Sequence, residues 1–378
     1  MANKVRLFTK RIFTYINVVV VFIFLLSCLV PYLDPHQWWF IAFLGYGFPF
    51  LLIIVLLFLV WWLILLKPKL AMISGIALII GIKSISVFFA FHPTRAFINK
   101  KEPGNIRVLT WNVARFIELK RNTNKGSQVR LKMLEFLKQQ DADILCLQEF
   151  HTSTDSVYYN NILPIQQLGY PYYYFNFDAD GDRHYYSSII FSRFPILDSG
   201  MIRYPRPSLP EVLIHADIKV KNDTIRVYTT HLQSLQFGKK DYERIDKIKT
   251  VEDSLVSNSR NILSKIKKGF SNRSIQAEMV HDVMENCPHP FLLCADLNDI
   301  PNSYAYFTVR GKLQDAFLKK GFGIGRTFSS LSPTLRIDYI FTDKNFRINQ
   351  FNRRVKNLSD HYLLLADVEL KNPNPIAK

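Results

Sequence analysis

Cysteine is scarce: the 378 residues carry only 4, at Cys28, Cys146, Cys287 and Cys294. Their spacing matches neither a zinc module nor a disulfide framework, which excludes both kinds of stapled scaffold. Cys28 falls in an apolar span, and Cys146 and Cys294 fall in apolar strand-like runs, where a small buried thiol is ordinary. A zinc grouping of Cys287 with His281 and His289 is the one soft-ligand alternative left. Glycine fingerprints are missing too: Gly321-Phe322-Gly323-Ile324-Gly325 fits no phosphate-binding pattern. The acidic run Asp178-Ala179-Asp180-Gly181-Asp182 is not a calcium hand. Its sixth position is Arg183 where that loop needs glycine, and its twelfth is Ile189 where it needs glutamate, so it reads as a hairpin turn. Acidic charge is short as well, with 31 Asp and Glu against 48 Lys and Arg, a net charge of +17. That excess favours a polyanionic partner, although part of it flanks the apolar N-terminal region.

Apolar residues make up 48% of the chain and are concentrated near its N-terminus. The runs Phe13–Tyr32, Trp38–Leu66 and Leu70–Phe91 each reach the roughly 20 residues that a bilayer-crossing helix needs. Trp38-Trp39 and Trp61-Trp62 suit the two interfaces of the second run. Lys83 interrupts the third and is costly in lipid unless it faces a neighbouring helix or snorkels. A cleaved signal peptide would account for the first run alone. Lys4, Arg6, Lys10 and Arg11 precede the first helix, and Lys67 and Lys69 lie between the second and third. The link Asp34-Pro35-His36-Gln37 has no Lys or Arg. The positive-inside rule then places the N-terminus and the Lys67 loop in the cytoplasm, and everything after Phe91 outside it. Arg95, Lys100 and Lys101 oppose that orientation.

Downstream, short elements alternate. Ile106–Val113 reads as a strand closing near Asn112. Gln128–Gln139 has helical periodicity, with Val129, Met133, Phe136 and Leu137 on one face. Ile144–Leu147 is a buried strand ending on Gln148-Glu149. Ser188–Phe191 and Glu211–Val220 read as further strands, and the Asn222-Asp223 turn joins the latter antiparallel to Thr224–Thr230, which ends on His231. Gln236–Asn286 is polar, basic and helix-forming, with Lys265, Lys267 and Lys268 clustered. It reads as surface helix with a solvated basic face rather than a dedicated polyanion patch. Such strand–helix–strand patterning is that of a layered α/β or α+β fold.

The stretch that organises the chain is Phe291-Leu292-Leu293-Cys294-Ala295, an uninterrupted apolar run that reads as a strand buried on both faces. It empties into Asp296-Leu297-Asn298-Asp299. Residues two apart share a face, so Asp296 and Asn298 are expected to converge while Leu297 returns to the packing. Candidate groups recur at Asn112, Glu149, His231, Asp338 (inside the strand Arg336–Phe341) and Asp360-His361. All but Asp338 fall where a strand starts or stops, which turn chemistry alone explains poorly. Oxygen-rich donors with few sulfurs suit a hard cation such as magnesium rather than zinc. An Asp-His neighbour pair suits proton transfer or stabilisation of a developing anion.

Trp111-Asn112, Leu147-Gln148-Glu149, Thr230-His231-Leu232, Ala295-Asp296-Leu297-Asn298, Arg336-Ile337-Asp338-Tyr339-Ile340 and Ser359-Asp360-His361 resemble, in order, the motifs of the endonuclease/exonuclease/phosphatase superfamily. That group includes DNase I-like nucleases, inositol polyphosphate 5-phosphatases and neutral sphingomyelinases. The resemblance runs from Ile106 to Glu369 and breaks no motif. It implies a four-layer sandwich of two mixed β-sheets flanked by helices, here preceded by three transmembrane helices. The expected domains are a membrane region, 1–95, and a catalytic domain, 102–374. It also implies a magnesium-dependent phosphoric ester hydrolase, with manganese as a substitute. Glu149 resembles the principal metal ligand, with Asn112 and Asp360 beside the ion. Asp296 and Asn298 resemble the pair that orients water and phosphate, and His231 resembles a phosphate or leaving-group contact. His361, oriented by Asp338, resembles the group that stabilises the transition state. The substrate stays open among nucleic acid, phospholipid and small phosphoesters. The alternative is a membrane-anchored binding or scaffold protein that keeps the fold without turnover.

Overall fold

The computed structural model describes residues 2–93, 96–116, 125–154, 160–205, 211–235, 241 and 255–371. Arg95, much of the stretch before residue 255 in the expected Gln236–Asn286 helical region, and the end of the expected catalytic domain lie outside these. One compact unit comprises Met1–Phe89, Leu235–Ser274 and Ile300–Thr308; the other comprises Ala90–Ser234, Ile275–Asp299 and Val309–Lys378.

In the first unit, α1 (Ala2–Cys28) and α2 (Pro35–Ile64) follow the first two apolar runs. Asp34 caps α2 by accepting from the His36 amide, and Pro35 takes the first-turn position where a missing N–H costs nothing. Both helices are long and apolar enough to cross a bilayer. The third expected span is not one straight helix. It is α3 (Pro68–Ile80) and α4 (Ile82–Phe88), bent by 65° at Gly81, and it counts as a span only if the pair is taken together. Gly81 leaves helical geometry, and a Cβ there would stand 2.8 Å from the Phe24 ring, so only glycine lets the chain turn this close to α1. The run's last residues, Ala90–Phe91, leave the helix as strand β1. Ser74 donates to Asn17 Oδ1 at 2.9 Å, a buried polar tie between α3 and α1.

The helix Leu255–Glu285 contributes its N-terminal part to this unit, where Phe270 and Ile266 pack on Val30, Ile41 and Ala42. Two of its three clustered lysines are engaged. Lys265 pairs with Asp241 at 2.6 Å, and the Lys267 ammonium sits 5.7 Å from the Trp39 ring.

The second unit holds two six-stranded mixed sheets. One contains β6 (Ile196–Arg203), β7 (Val212–Val220), β8 (Asp223–His231), β9 (Phe291–Asp296), β10 (Gln314–Asp315) and β12 (Asp338–Thr342), ordered β10-β12-β9-β8-β7-β6. The other contains β2 (Ile106–Asn112), β3 (Ile144–Ser153), β4 (Tyr172–Phe175), β5 (His184–Ser192), β13 (Phe346–Arg354) and β14 (Leu363–Leu370), ordered β13-β14-β2-β3-β5-β4. Among the described strands, only β8/β9 and β2/β3 pair in parallel. A two-stranded ribbon pairs β1 with β11 (Phe322–Gly323).

Alternation along each strand builds the layers. Val108, Cys146, Ile190, Val227, Leu292, Cys294, Ile340 and Ala366 fill the space between the sheets. Leu109, Trp111, Leu145 and Phe191 face outward onto α5 (Lys125–Lys138) and α6 (Ile162–Gln167), through Met133, Phe136, Leu137 and Ile165. Cys146 and Cys294 are free, buried thiols in this core, and burial pushes the Cys146 thiol well up, away from reactivity. The acidic run before β5 is a turn, with the Asp180 amide donating to His184 O at 2.8 Å.

Candidate active site

Inward-facing positions stay apolar along the strands and turn polar at one end of the sandwich. On β9 the inward series is Leu292, Cys294, Asp296, and on β2 it is Val108, Thr110, Asn112. Register then sets the neighbours. Asp296 lies opposite His231 on β8 and opposite Asp338 on β12, so three candidate groups stand in a row across adjacent strands. Asn112 comes from the facing sheet. Its Nδ2 donates to Asp296 Oδ2 at 2.9 Å and to Glu149 Oε1 at 3.2 Å, while its Oδ1 accepts from the Ala114 amide. Beneath lies a layer that joins the sheets: Gln148 Nε2 donates to Thr110 Oγ1 and to Thr229 Oγ1, at 2.9 and 2.8 Å.

Glu149 does not end its strand. β3 continues to Ser153, and between the pairs Leu147–Ile189 and Phe150–Ser187 two β3 residues oppose one on β5. Such a bulge re-aims a side chain without breaking the sheet, and Glu149 takes φ +50° to do so. Asn298 reaches Asp296 by a turn rather than by strand alternation, since β9 ends at Asp296. Its φ is +50°, and Asp296 Oδ1 accepts its amide at 2.9 Å, as in an Asx turn. Leu297 returns to the core, fully buried. Asp338 opens β12 instead of lying inside it, so it too sits at a strand end.

The Asn298 side-chain Nδ2 donates to Leu232 O at 3.0 Å and faces His231 Nε2 at 2.9 Å. A carbonyl can only accept, so the amide nitrogen is fixed and His231 Nε2 must be the acceptor. The His231 proton therefore sits on Nδ1, which is buried with no hydrogen-bond partner among the described residues. His361 presents Nδ1 to both Asp338 oxygens at 3.0 Å, and Asp296 Oδ2 lies 3.6 Å away. Burial opposes the imidazolium, but the Asp338 and Asp296 carboxylates outweigh it and hold the His361 pKa well above its ordinary value. Its carbonyl receives Trp111 Nε1 at 2.9 Å and its ring lies 5.0 Å from Phe328. Asp360 is exposed, with Ser359 Oγ at 3.2 Å from its Oδ1.

The donor set suits a hard cation. The Glu149 and Asp296 carboxylates share the Asn112 amide, and those of Asp296 and Asp338 flank His361, with no thiolate among them. Ligand atoms of Asp296, Asp338 and His361 lie within 4.8 Å of one another. Cys287, His281 and His289 form no such group among the described residues; Cys287 is bonded to His289 O, His281 pairs with Glu285, and His289 with Asp217.

Residues 109–361 match the profile of the Endonuclease/Exonuclease/phosphatase family. The chain belongs to that family. Members of the endonuclease/exonuclease/phosphatase family are phosphoric ester hydrolases that generally use a divalent metal. Residues 10–88 match a domain family of unknown function, and no curated protein matches the chain. Among solved structures, an endonuclease/exonuclease/phosphatase from Beutenbergia cavernae DSM 12333 is similar at 17% identity, over 70% of this chain and 72% of that one, with a TM-score of 0.49. The human nocturnin catalytic domain with bound sulfate has 18% identity, coverage of 71% and 94%, and a TM-score of 0.49. A mannosyl-6-phosphatase of Bacteroides thetaiotaomicron has 17% identity, coverage of 70% and 99%, and a TM-score of 0.47.

Two residues of this family member's site escape a reading by motif, Arg115 and Tyr186. Tyr186 shares hydrogen bonds with Glu149 and Arg115; burial first, then the Glu149 charge, raises its pKa and keeps it a neutral phenol. The Arg115 guanidinium lies 3.6 Å over the Tyr186 ring and pairs with Asp180 at 2.6 Å. It sits in a tight turn where Ala114, Arg115 and Phe116 all have positive φ, at 45°, 56° and 51°. Non-glycine residues there are strained, and such strain clusters at functional sites. The only sequence signal for Arg115 is a cation directly after the strand that ends on Asn112. Tyr186 is placed by register alone, opposite His151 two residues past Glu149.

Proposed function

We propose that this chain is a membrane-anchored, divalent-metal-dependent hydrolase of a phosphodiester or phosphomonoester. The observation that carries the reading is the row His231–Asp296–Asp338 across one sheet edge, with His361 bound to Asp338 and with Asn112 and Glu149 facing it from the other sheet. Glu149, with Asn112 and Asp360, would hold magnesium or manganese, and the bound cation would supply Lewis-acid polarisation of a phosphoryl oxygen.

The chain's own residues do the rest. Asp296 Oδ2, desolvated and already fed by Asn112 Nδ2, accepts the proton of the attacking water. His361 keeps Nδ1 for Asp338, so Nε2–H is free to face a non-bridging oxygen as charge develops there. His231 accepts at Nε2 from Asn298 and, with Leu232 O taking the other amide hydrogen, acts as a positioning residue that fixes the Asn298 side chain beside Asp296 rather than giving up a proton. Arg115 and Tyr186 hold the Glu149 carboxylate in place.

Glu149→Gln is expected to weaken magnesium binding by roughly tenfold or more while the fold persists. Titration calorimetry and the magnesium dependence of hydrolysis both read this, using the full chain in detergent against DNA, RNA, phospholipid and sugar phosphates. Unchanged magnesium affinity in a folded variant would remove Glu149 from the metal.

The positive charges flanking the apolar runs support a catalytic domain on the non-cytoplasmic side. Within the helical unit, Phe270 and Ile266 pack on Val30, Ile41 and Ala42, around the α1–α2 turn, and Asn302 donates to Ser27 O at 2.9 Å. Those downstream residues thus gather at the end of α1 remote from Lys4, Arg6, Lys10 and Arg11. This supports a bent α3–α4 pair that completes a third crossing. A C-terminal fusion to a reporter that works only in the cytoplasm should be silent; a working reporter would reverse the orientation.

A further inference from the structure

Lys83 is an exposed cation on α4, just past the bend. α3 has 13 residues, about 20 Å of rise, against a hydrocarbon core of about 30 Å. The bend at Gly81 therefore comes about two thirds of the way across, counted from the Lys67 side. Past it, Lys83 reaches the level of Tyr32, the last residue of the 3-10 turn after α1. The ammonium sits 4.7 Å from the Tyr32 ring and 5.3 Å from the Phe307 ring. No carboxylate pairs with it among the described residues. Two aromatic faces orient the charge without neutralising it.

Beside Lys83 a groove of about 360 Å³ lies between the C-terminal end of α1 and the α3–α4 bend, within the roughly 300–1,000 Å³ range of ligand sites. Phe22, Leu25, Leu26, Leu29 and Ile80 line it, and Ser84 joins Lys83 and Tyr32 at its polar end. Phe22, Leu29 and Ile80 are all exposed, so the groove opens where lipid would lie. One apolar trough with one uncompensated cation at the interfacial end has the chemistry of an acyl chain below an anionic head group.

We propose that this groove binds one anionic phospholipid, its chain along Leu25 and Leu26 and its phosphate against Lys83 and Ser84. The site rests on the membrane anchoring proposed above and is independent of the hydrolytic reading. Full-length protein would be reconstituted in vesicles of equal phosphatidylglycerol and phosphatidylcholine, extracted in mild detergent, and its retained lipid read by native mass spectrometry. Wild type should keep phosphatidylglycerol over phosphatidylcholine by about fivefold, the preference that one lysine near an anionic head group supplies. Lys83→Leu and Lys83→Gln should lose the preference, Lys83→Arg should keep it, and Leu26→Trp, which fills the trough, should lower retention of both lipids. Equal retention by wild type, or an unchanged preference in both neutral variants, would overturn the site. Carbonate extraction separates the two readings: a chain released from the vesicles removes the anchoring and the groove with it. A chain that stays bound but shows no Lys83-dependent preference removes the groove alone.

Discussion

His361→Ala and Asp296→Asn are each expected to lower kcat by about a hundredfold or more on the best substrate found, the scale of one general acid–base or anion-stabilising group. The two act at different atoms. Asp296→Asn preserves the shape that accepts the Asn298 amide and removes the proton-accepting carboxylate. His361→Ala removes the donor that Asp338 orients with both oxygens at 3.0 Å. Both groups act on charge and protons that change only on the way to the transition state, so kcat should fall with KM little moved. The double variant should fall no further than about the worse single, because one step uses both. His361→Ala also strips a buried carboxylate of its partner, so its melting curve must be taken beside its rate; Asp296→Asn serves as the isosteric control. If both variants turn over near the wild-type rate, this cluster is not where hydrolysis occurs; if the wild-type chain itself turns over none of the phosphoesters, the hydrolase reading fails and a non-catalytic scaffold leads.

Much of this site was readable from strand ends, and the exceptions have physical causes. A run such as Phe291–Ala295 announces a buried strand, and the polar residue that follows must sit at a sheet edge, so Asp296, Asn112 and His231 fall where expected. Glu149 reaches the edge through a bulge rather than a strand end. A bulge depends on pairing with β5, which no local pattern encodes, and the strand goes on to Ser153. Asn298 likewise converges through a left-handed turn and not through alternation. Arg115 and Tyr186 carry no local signal, because a single cation and a single strand tyrosine look like surface and core until the turn after β2 and the β3–β5 register bring them to Glu149. Hydropathy marks Leu70–Phe91 as one span, yet it averages over Gly81, and close packing on Phe24 decides the bend. Alternating strands and helices make a layered fold legible, because they leave few ways to bury two-sided strands, but the pairing of two mixed sheets follows only from the family resemblance.

Asp367→Ala is expected to destabilise the sandwich by about 3–5 kcal/mol, the effect of stranding a buried charge. Arg107 on β2 and Asp367 on β14 are cross-strand neighbours. Their pairing is bidentate, Nε to Oδ1 at 2.7 Å and Nη2 to Oδ2 at 2.9 Å, with side chains 2% and 0% exposed. The guanidinium's other donors go to Asn99 O, Gln140 O and Ile98 O, which supply no countercharge. Truncating Asp367 therefore leaves a full positive charge with no carboxylate hydrogen-bonded to its guanidinium, in a chain whose total stability is on the order of 5–15 kcal/mol. The same two sheets hold a control. Arg347 and Glu369, paired across β13 and β14 at 3.7 Å, are 66% and 39% exposed. Solvent and salt screen that pair, so Glu369→Ala should cost no more than about 1 kcal/mol. Replacing both Arg107 and Asp367 with apolar residues of similar volume should recover much of the loss, because the desolvation of both charges disappears with their attraction. Thermal melts of the full chain in detergent, run for these variants side by side, read the difference. An Asp367→Ala protein that melts with the Glu369→Ala protein would show that water or a rearranged carbonyl solvates Arg107, and that this pair does not hold β14 to β2.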